Sequence, residues 1–122
     1  MHLVIIIPCL NEEANIPELT QRLLDALDAL SLQFEIIFVD DGSSDGTADI
    51  LRHYSQNDRR IRLLAHERTR GIASSWAKAA HTAQHDWILT MDADLQNPPE
   101  GIRQLIEQAR AEGARVILVQ PQ

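Results

Sequence analysis

His2-Leu3-Val4-Ile5-Ile6-Ile7-Pro8-Cys9-Leu10-Asn11-Glu12-Glu13 opens the chain and decides its fold class. Leu3 to Ile7 is an unbroken apolar run, largely β-branched, stopped by Pro8. A strand covered on both faces reads this way, whereas a strand with one wet face alternates. Asn11 is placed to cap a following helix, with Glu12 and Glu13 in the first turn, where carboxylates favour the positive end of the helix dipole. Ile16, Leu19, Leu23, Leu27 and Leu30 recur at helical spacing, so the helix is expected to run to about Leu30.

The same alternation continues outward. Phe34 to Val39 predicts a second buried strand, ending in the turn cluster Asp40-Asp41-Gly42-Ser43-Ser44-Asp45-Gly46-Thr47. Ala48, Ile50, Leu51 and Tyr54 mark a helix, and Ile61 to Ala65 a short third strand. Gly71 opens a helix through about Ala83, and Trp87 to Met91 is a fourth strand. Pro98-Pro99-Glu100 starts a helix, as proline does in a first turn. It continues to about Glu112 and is stopped by Gly113, and Val116 to Val119 makes a fifth strand. Strands alternating with helices predict an α/β domain, three layers with a doubly wound, mostly parallel sheet, spanning residues 1–122. Ligands of such sheets lie at the carboxyl ends of strands, at the topological switch point. The polar clusters fall there: Asn11 and Glu13, Asp40 and Asp41, and Asp92 to Gln96. Helix capping accounts for one residue per loop, not for paired aspartates in two of them.

Ile88-Leu89-Thr90-Met91-Asp92-Ala93-Asp94-Leu95-Gln96-Asn97-Pro98-Pro99-Glu100 carries the chemistry. In a strand, the i, i+2 spacing puts Asp92 and Asp94 on one face, and Gln96 shares that parity if the extended geometry persists. Two or three hard oxygens at a strand end suit Mg²⁺ or Mn²⁺ with a phosphorylated ligand. The same residues also suit a polar turn that caps a strand, with Asp94 or Asn97 preceding a proline-initiated helix.

Composition narrows the classes. The 122 residues make one domain with a sizeable core, 44% hydrophobic and 24% charged. A net charge of −7 tells against nucleic acid as a partner, which requires a basic stripe. One cysteine excludes an intramolecular disulfide and a cysteine-rich zinc site, and Cys9 at a strand end reads as a small buried side chain. No stretch approaches the ~20 apolar residues of a membrane span. The amino terminus lacks a basic leader, so the expected location is cytoplasmic. Neither G-x-G-x-x-G nor a Walker loop is present, and Ser74 and Ser75 lie on no nucleophile elbow. His81 and His85, four apart near a helix end, read as solvated side chains.

Three motifs in order resemble a known family. They are Val4-Ile5-Ile6-Ile7-Pro8-Cys9-Leu10-Asn11-Glu12-Glu13, Val39-Asp40-Asp41-Gly42-Ser43-Ser44-Asp45-Gly46-Thr47 and Met91-Asp92-Ala93-Asp94-Leu95-Gln96-Asn97-Pro98-Pro99-Glu100. Together they resemble the inverting family 2 glycosyltransferases of GT-A fold, and most of all the dolichol- and polyprenyl-phosphate sugar transferases. The resemblance implies that Asp92, Asp94 and Gln96 hold a divalent cation, Mg²⁺ or Mn²⁺, on the donor diphosphate, with Asp92 and Asp94 as the catalytic pair. It implies that Pro8, Asn11, Glu13, Asp40, Asp41, Gly71 and Asp92 border the nucleotide. Asp45 is instead expected to cap its loop. The third loop, Thr69-Arg70-Gly71-Ile72-Ala73-Ser74-Ser75-Trp76-Ala77-Lys78-Ala79, departs from the family's pattern, with Thr69 for Asn, the bulky Trp76, and Ala79 where Gly is common. Arg70 there is either a diphosphate partner or a surface cation.

The family's catalytic domain continues well beyond 122 residues. The chain is therefore expected to be truncated, the donor-binding part of an enzyme that moves a sugar from a nucleoside diphosphate, GDP or UDP, onto a polyprenyl phosphate at the membrane surface. The resemblance implies direct displacement with inversion. Little activity is expected of this chain alone, and its open sheet edge suggests a homodimer. The alternative is a non-catalytic nucleotide-sugar-binding module. A nucleotidyltransferase ranks last, because it wants a glycine-rich basic loop where Asn11-Glu12-Glu13 is acidic.

Overall fold

The computed structural model describes residues 2–30, 32–66, 87–95, 98–113 and 116–118. Strand β1 (His2–Cys9) leads to helix α1 (Ile16–Asp28), β2 (Gln33–Asp41), α2 (Thr47–Asn57) and β3 (Ile61–His66). Strand β4 (Trp87–Thr90), a 3-10 turn (Pro99–Gly101), α3 (Ile102–Glu112) and β5 (Val116–Leu118) follow. The expected helix from Gly71 to about Ala83 lies outside the described residues.

All the strand pairs are parallel, in the order β3-β2-β1-β4-β5. The chain builds leftward from β1 to β3, then resumes on the other side of β1 with β4 and β5. The order reverses between β1 and β4, and that is where an open α/β sheet binds its ligand.

Burial explains why β1 carries no polar alternation. Leu3, Ile5, Ile7 and Cys9 pack with Ile16, Leu19, Leu23 and Leu27 of α1, Leu51 of α2, and Ile102 and Ile106 of α3. Val4 and Ile6 point to the opposite face with Ile37, Val39 and Ile88. Val4, Ile5, Ile6 and Ile7 are all 0% exposed, so both faces are dry, as the apolar run predicts. Each such side chain contributes about 1.5–3 kcal/mol of burial. Helix α3 ends at Gly113, whose left-handed φ of 71° lets its N–H close on Ala109 and Arg110 carbonyls.

Candidate functional site

Three loops gather at the carboxyl ends of β2, β1 and β4, which are adjacent in the sheet. The register sets their levels: Cys9 pairs with Asp40, and Ile6 with Thr90. Asn11, Asp41 and Asp92 thus follow three neighbouring strands at one end of the molecule.

Pro8 opens the crevice between β1 and β4. The N–H of Met91 donates to the Ile6 carbonyl, so Ile6 turns its backbone toward β4. Pro8, two residues on, faces the same side and has no N–H to give. The β1–β4 pairing stops at Ile6–Thr90, while the β1–β2 pairing continues to Cys9–Asp40. A gap in the ladder therefore begins where Asp92 follows β4. Pro8 is half-buried at this gap.

Asn11 does not cap α1. The helix starts at Ile16, behind Asn15, with Pro17 in its first turn. The Asn15 side chain makes no cap bond to the helix; it donates to Glu12 Oε2 at 2.8 Å. Asn11 instead adopts a left-handed φ of 54°, which asparagine tolerates better than most residues. From there it reaches the β2–α2 loop. Its N–H donates to Ser43 Oγ at 2.9 Å, and its Oδ1 accepts the Ser44 N–H at 2.8 Å. Glu12 N–H donates to Thr47 Oγ1 at 2.9 Å, and Glu13 Oε2 accepts the Gly46 N–H at 3.2 Å.

Asp40 and Asp41, the last residues of β2, are only 4% and 5% exposed. Asp40 Oδ1 accepts the Ser43 N–H at 3.2 Å, and the chain turns at Gly42, whose φ of 83° suits glycine. Asp45 closes its loop, as expected: its Oδ1 accepts from Thr47 Oγ1 and from Thr47 N–H. Those bonds, the hydroxyl's first, hold its carboxyl below the ordinary carboxylate range. With Asp45 and Glu13 both at this end, the N-terminus of α2 is already supplied with anions.

The third loop differs. Strand β4 ends at Thr90, one residue short of the expected Met91, and Asp92 and Asp94 lie beyond it. The alternation persists nonetheless: Met91 and Ala93 are buried at 5% and 2% exposure, while Asp92 and Asp94 are half-buried. Burial, and then the Asp94 charge, raise the Asp92 carboxyl above its ordinary range. Leu95 takes a left-handed φ of 63°, so the extended run breaks there. Gln96, Gly71 and Arg70 lie outside the described residues. The Asp92–Asp94 pair alone fits a divalent cation in its chemistry, two hard anionic oxygen donors in mutual repulsion, but among the described residues no group of three or more His, Cys, Asp or Glu is arranged to hold a metal ion. Beyond this loop Arg22 of α1 grips Glu100, with Nε to Oε2 at 2.9 Å and Nη2 to Oε1 at 2.5 Å, joining α1 to the 3-10 turn. Cys9 is buried against the Ile7 carbonyl, and burial, then Asp40 and Glu12, push its thiol pKa up, which suits a packed side chain and not a nucleophile.

Sequence reasoning missed Ser43, Ser44, Gly46, Thr47 and Arg22 as partners. Only Asp45 and Thr47, spaced for a local cap, carried a readable signal.

The family model described as Glycosyl transferase family 2 matches residues 4–122. The undecaprenyl-phosphate 4-deoxy-4-formamido-L-arabinose transferase of Edwardsiella ictaluri is 41% identical over 106 residues, 86% of this chain and 33% of that protein. The S. aureus TarS structure in complex with UDP-GlcNAc aligns with a TM-score of 0.67 at 25% identity, over 92% of this chain and 32% of that one. A mannosyltransferase from Pyrobaculum calidifontis, in complex with GDP-Man and Mn²⁺, aligns with a TM-score of 0.70 at 23% identity, over 88% of this chain and 32% of that one. The chain spans about a third of the length of the curated relatives it matches.

Proposed function

The chain belongs to glycosyl transferase family 2, and from that premise we propose that it binds the nucleoside diphosphate sugar donor of a glycosyl transfer, with Mg²⁺ or Mn²⁺. The observation that carries the proposal is the placement of two aspartate pairs on either side of the switch point. Asp40 and Asp41 end β2, Asp92 and Asp94 follow β4, and β1 lies between them.

The roles divide by chemistry. Asp40 and Asp41, buried carboxylates, accept hydrogen bonds from a base N–H or ribose hydroxyl. Pro8 leaves the crevice open between β1 and β4. Asp92 and Asp94 would hold the cation, with Gln96 and Gly71 as further donor-site residues. When bound, the cation supplies charge stabilisation to the departing diphosphate. The helix dipole at α2 cannot serve the phosphates in its place, since Asp45 and Glu13 occupy that terminus.

The acceptor in this proposal is a polyprenyl phosphate at the cytoplasmic face of a membrane. It is supported by the names of the curated relatives, undecaprenyl-phosphate sugar transferases. A phosphate acceptor is already anionic near neutral pH, so direct displacement with inversion asks no general base of these loops. No helix among the described residues is long and apolar enough to cross a membrane. A homodimer through an open sheet edge belongs to the same proposal.

Calorimetry with UDP and GDP, with and without Mn²⁺, tests the donor site. The expected result is binding of one nucleotide that requires the cation. Equal affinity with and without metal would refute the role of Asp92 and Asp94. A transfer assay with labelled sugar nucleotides and a polyprenyl phosphate is expected to give little turnover by this chain alone, because aligning the acceptor accounts for roughly 7–11 kcal/mol of barrier in the best cases.

A further inference from the structure

The first loop is tied to the second at four points, and each tie reaches backbone or hydroxyl groups 32 to 35 residues away. We propose that Asn11 and Glu13 are positioning residues: they clamp the β2–α2 loop and so fix Asp40, rather than meeting the nucleotide themselves. The inference rests on the donor-site proposal above for its ligand, but not for its geometry.

A continuous relay runs from Asn11 to Asp40. Asn11 N–H donates to Ser43 Oγ, and Ser43 N–H donates to Asp40 Oδ1 at 3.2 Å. The Asn11 carbonyl oxygen is engaged twice, by Ser44 N–H at 2.8 Å and Ser44 Oγ at 3.4 Å. Both of its lone pairs are directed at the second loop. The left-handed backbone at Asn11 is what aims N–H and side chain at the same two serines.

Glu13 is held just as closely. A Cβ built on Gly46 would lie 2.5 Å from Glu13 Oε1 and 2.9 Å from its Cδ. Gly46 has an ordinary φ of −80°, so its conformation does not require glycine. A side chain there would instead have to displace the Glu13 carboxylate. The Glu13 carboxylate therefore lies directly over the start of α2 as well as bonding to it.

The test combines amide hydrogen exchange of the ligand-free chain with calorimetry of UDP and GDP in Mn²⁺. Asn11→Gly keeps the backbone conformation and removes the acceptor; Asn11→Asp keeps the acceptor. We expect Asn11→Gly to speed exchange at Ser44 by about tenfold and weaken nucleotide binding by roughly fivefold, the loss of one hydrogen bond. Asn11→Asp should rescue both, and Gly46→Ala should speed exchange at position 46 by displacing Glu13. In an Asp40→Ala background, which removes the carboxyl that the clamp positions, Asn11→Gly should cost no further affinity. Unchanged Ser44 exchange in Asn11→Gly, or a full additive loss in the Asp40→Ala background, would overturn the proposal. If the wild-type chain binds neither nucleotide, the donor-site proposal fails and the exchange result alone decides the clamp.

Discussion

The carboxylates after β2 and those after β4 stand at the same end of the sheet, one strand apart, yet their surroundings are opposite. Asp40 is buried and accepts a backbone N–H, and Asp45 is wired to Thr47 by two bonds that lower its pKa. Asp92 is half-buried, and its carboxyl is raised by burial and by Asp94. One region gives Asp40 and Asp45 hydrogen-bond donors of the protein's own. The other concentrates charge without lowering its cost, which is the arrangement a cation relieves. Shared position in a fold therefore does not give shared chemistry; the hydrogen-bond partners decide.

The largest effect should come from setting the two loops against each other in nucleotide binding. Asp94→Ala is expected to lower affinity in Mn²⁺ on the order of a hundredfold, about 2.7 kcal/mol, and to leave the weak metal-free affinity unchanged. Asp40→Asn should lower affinity about fivefold to tenfold, equally with and without metal. Titrations of both variants in Mn²⁺ and in chelator separate the two patterns. Matching metal dependence in the two variants would collapse the distinction between the loops.

Much of this was legible in the sequence, and the failures have physical causes. The run Leu3–Ile7 announced a strand dry on both faces because burial leaves no place for polar alternation. The polar clusters at the carboxyl ends of strands followed from the order of elements, whereas the place of the switch point needed the strand order, and Gly113 closed its helix as read. Asn11 was misread because a cap is a local inference, whereas its partners lie more than 30 residues away. Pro17 was the available signal for the later start of α1, since proline suits a first turn. The break in the extended run at Leu95 went unread, because a left-handed leucine leaves no mark in the sequence. Pro8 was seen as a stop, but its place in the central strand, withholding a donor from β4, needed the register.

A smaller effect is expected on stability when the satisfied loop is cut. Asp45→Ala removes the acceptor for Thr47 N–H and Oγ1 and should lower the melting temperature at pH 7. The folded-state pKa of Asp45 is depressed, so its contribution is present above the ordinary value of 3.8 and is lost as pH falls through the folded value. Melting curves of variant and wild type should converge below that range. A gap that persists at low pH would assign the loss to something other than the ionised carboxylate.

The smallest effect, and the one of opposite sign, belongs to Asp92. Its folded-state pKa is raised, so the folded chain holds the proton more tightly than the unfolded chain does. The penalty is fully present above the folded pKa and disappears as pH falls below the ordinary 3.8. Asp92→Asn should therefore melt slightly higher than wild type at pH 7, with the gain fading under acid. Mn²⁺ should raise the melting temperature of the wild type by mass action and leave the variant nearly unmoved. The variant would thus be the more stable chain without metal and the less responsive one with it. An Asp92→Asn chain that melts lower than wild type at pH 7 would mean that this loop, like the one after β2, uses its carboxylates to hold itself together, and the contrast between the two would be lost.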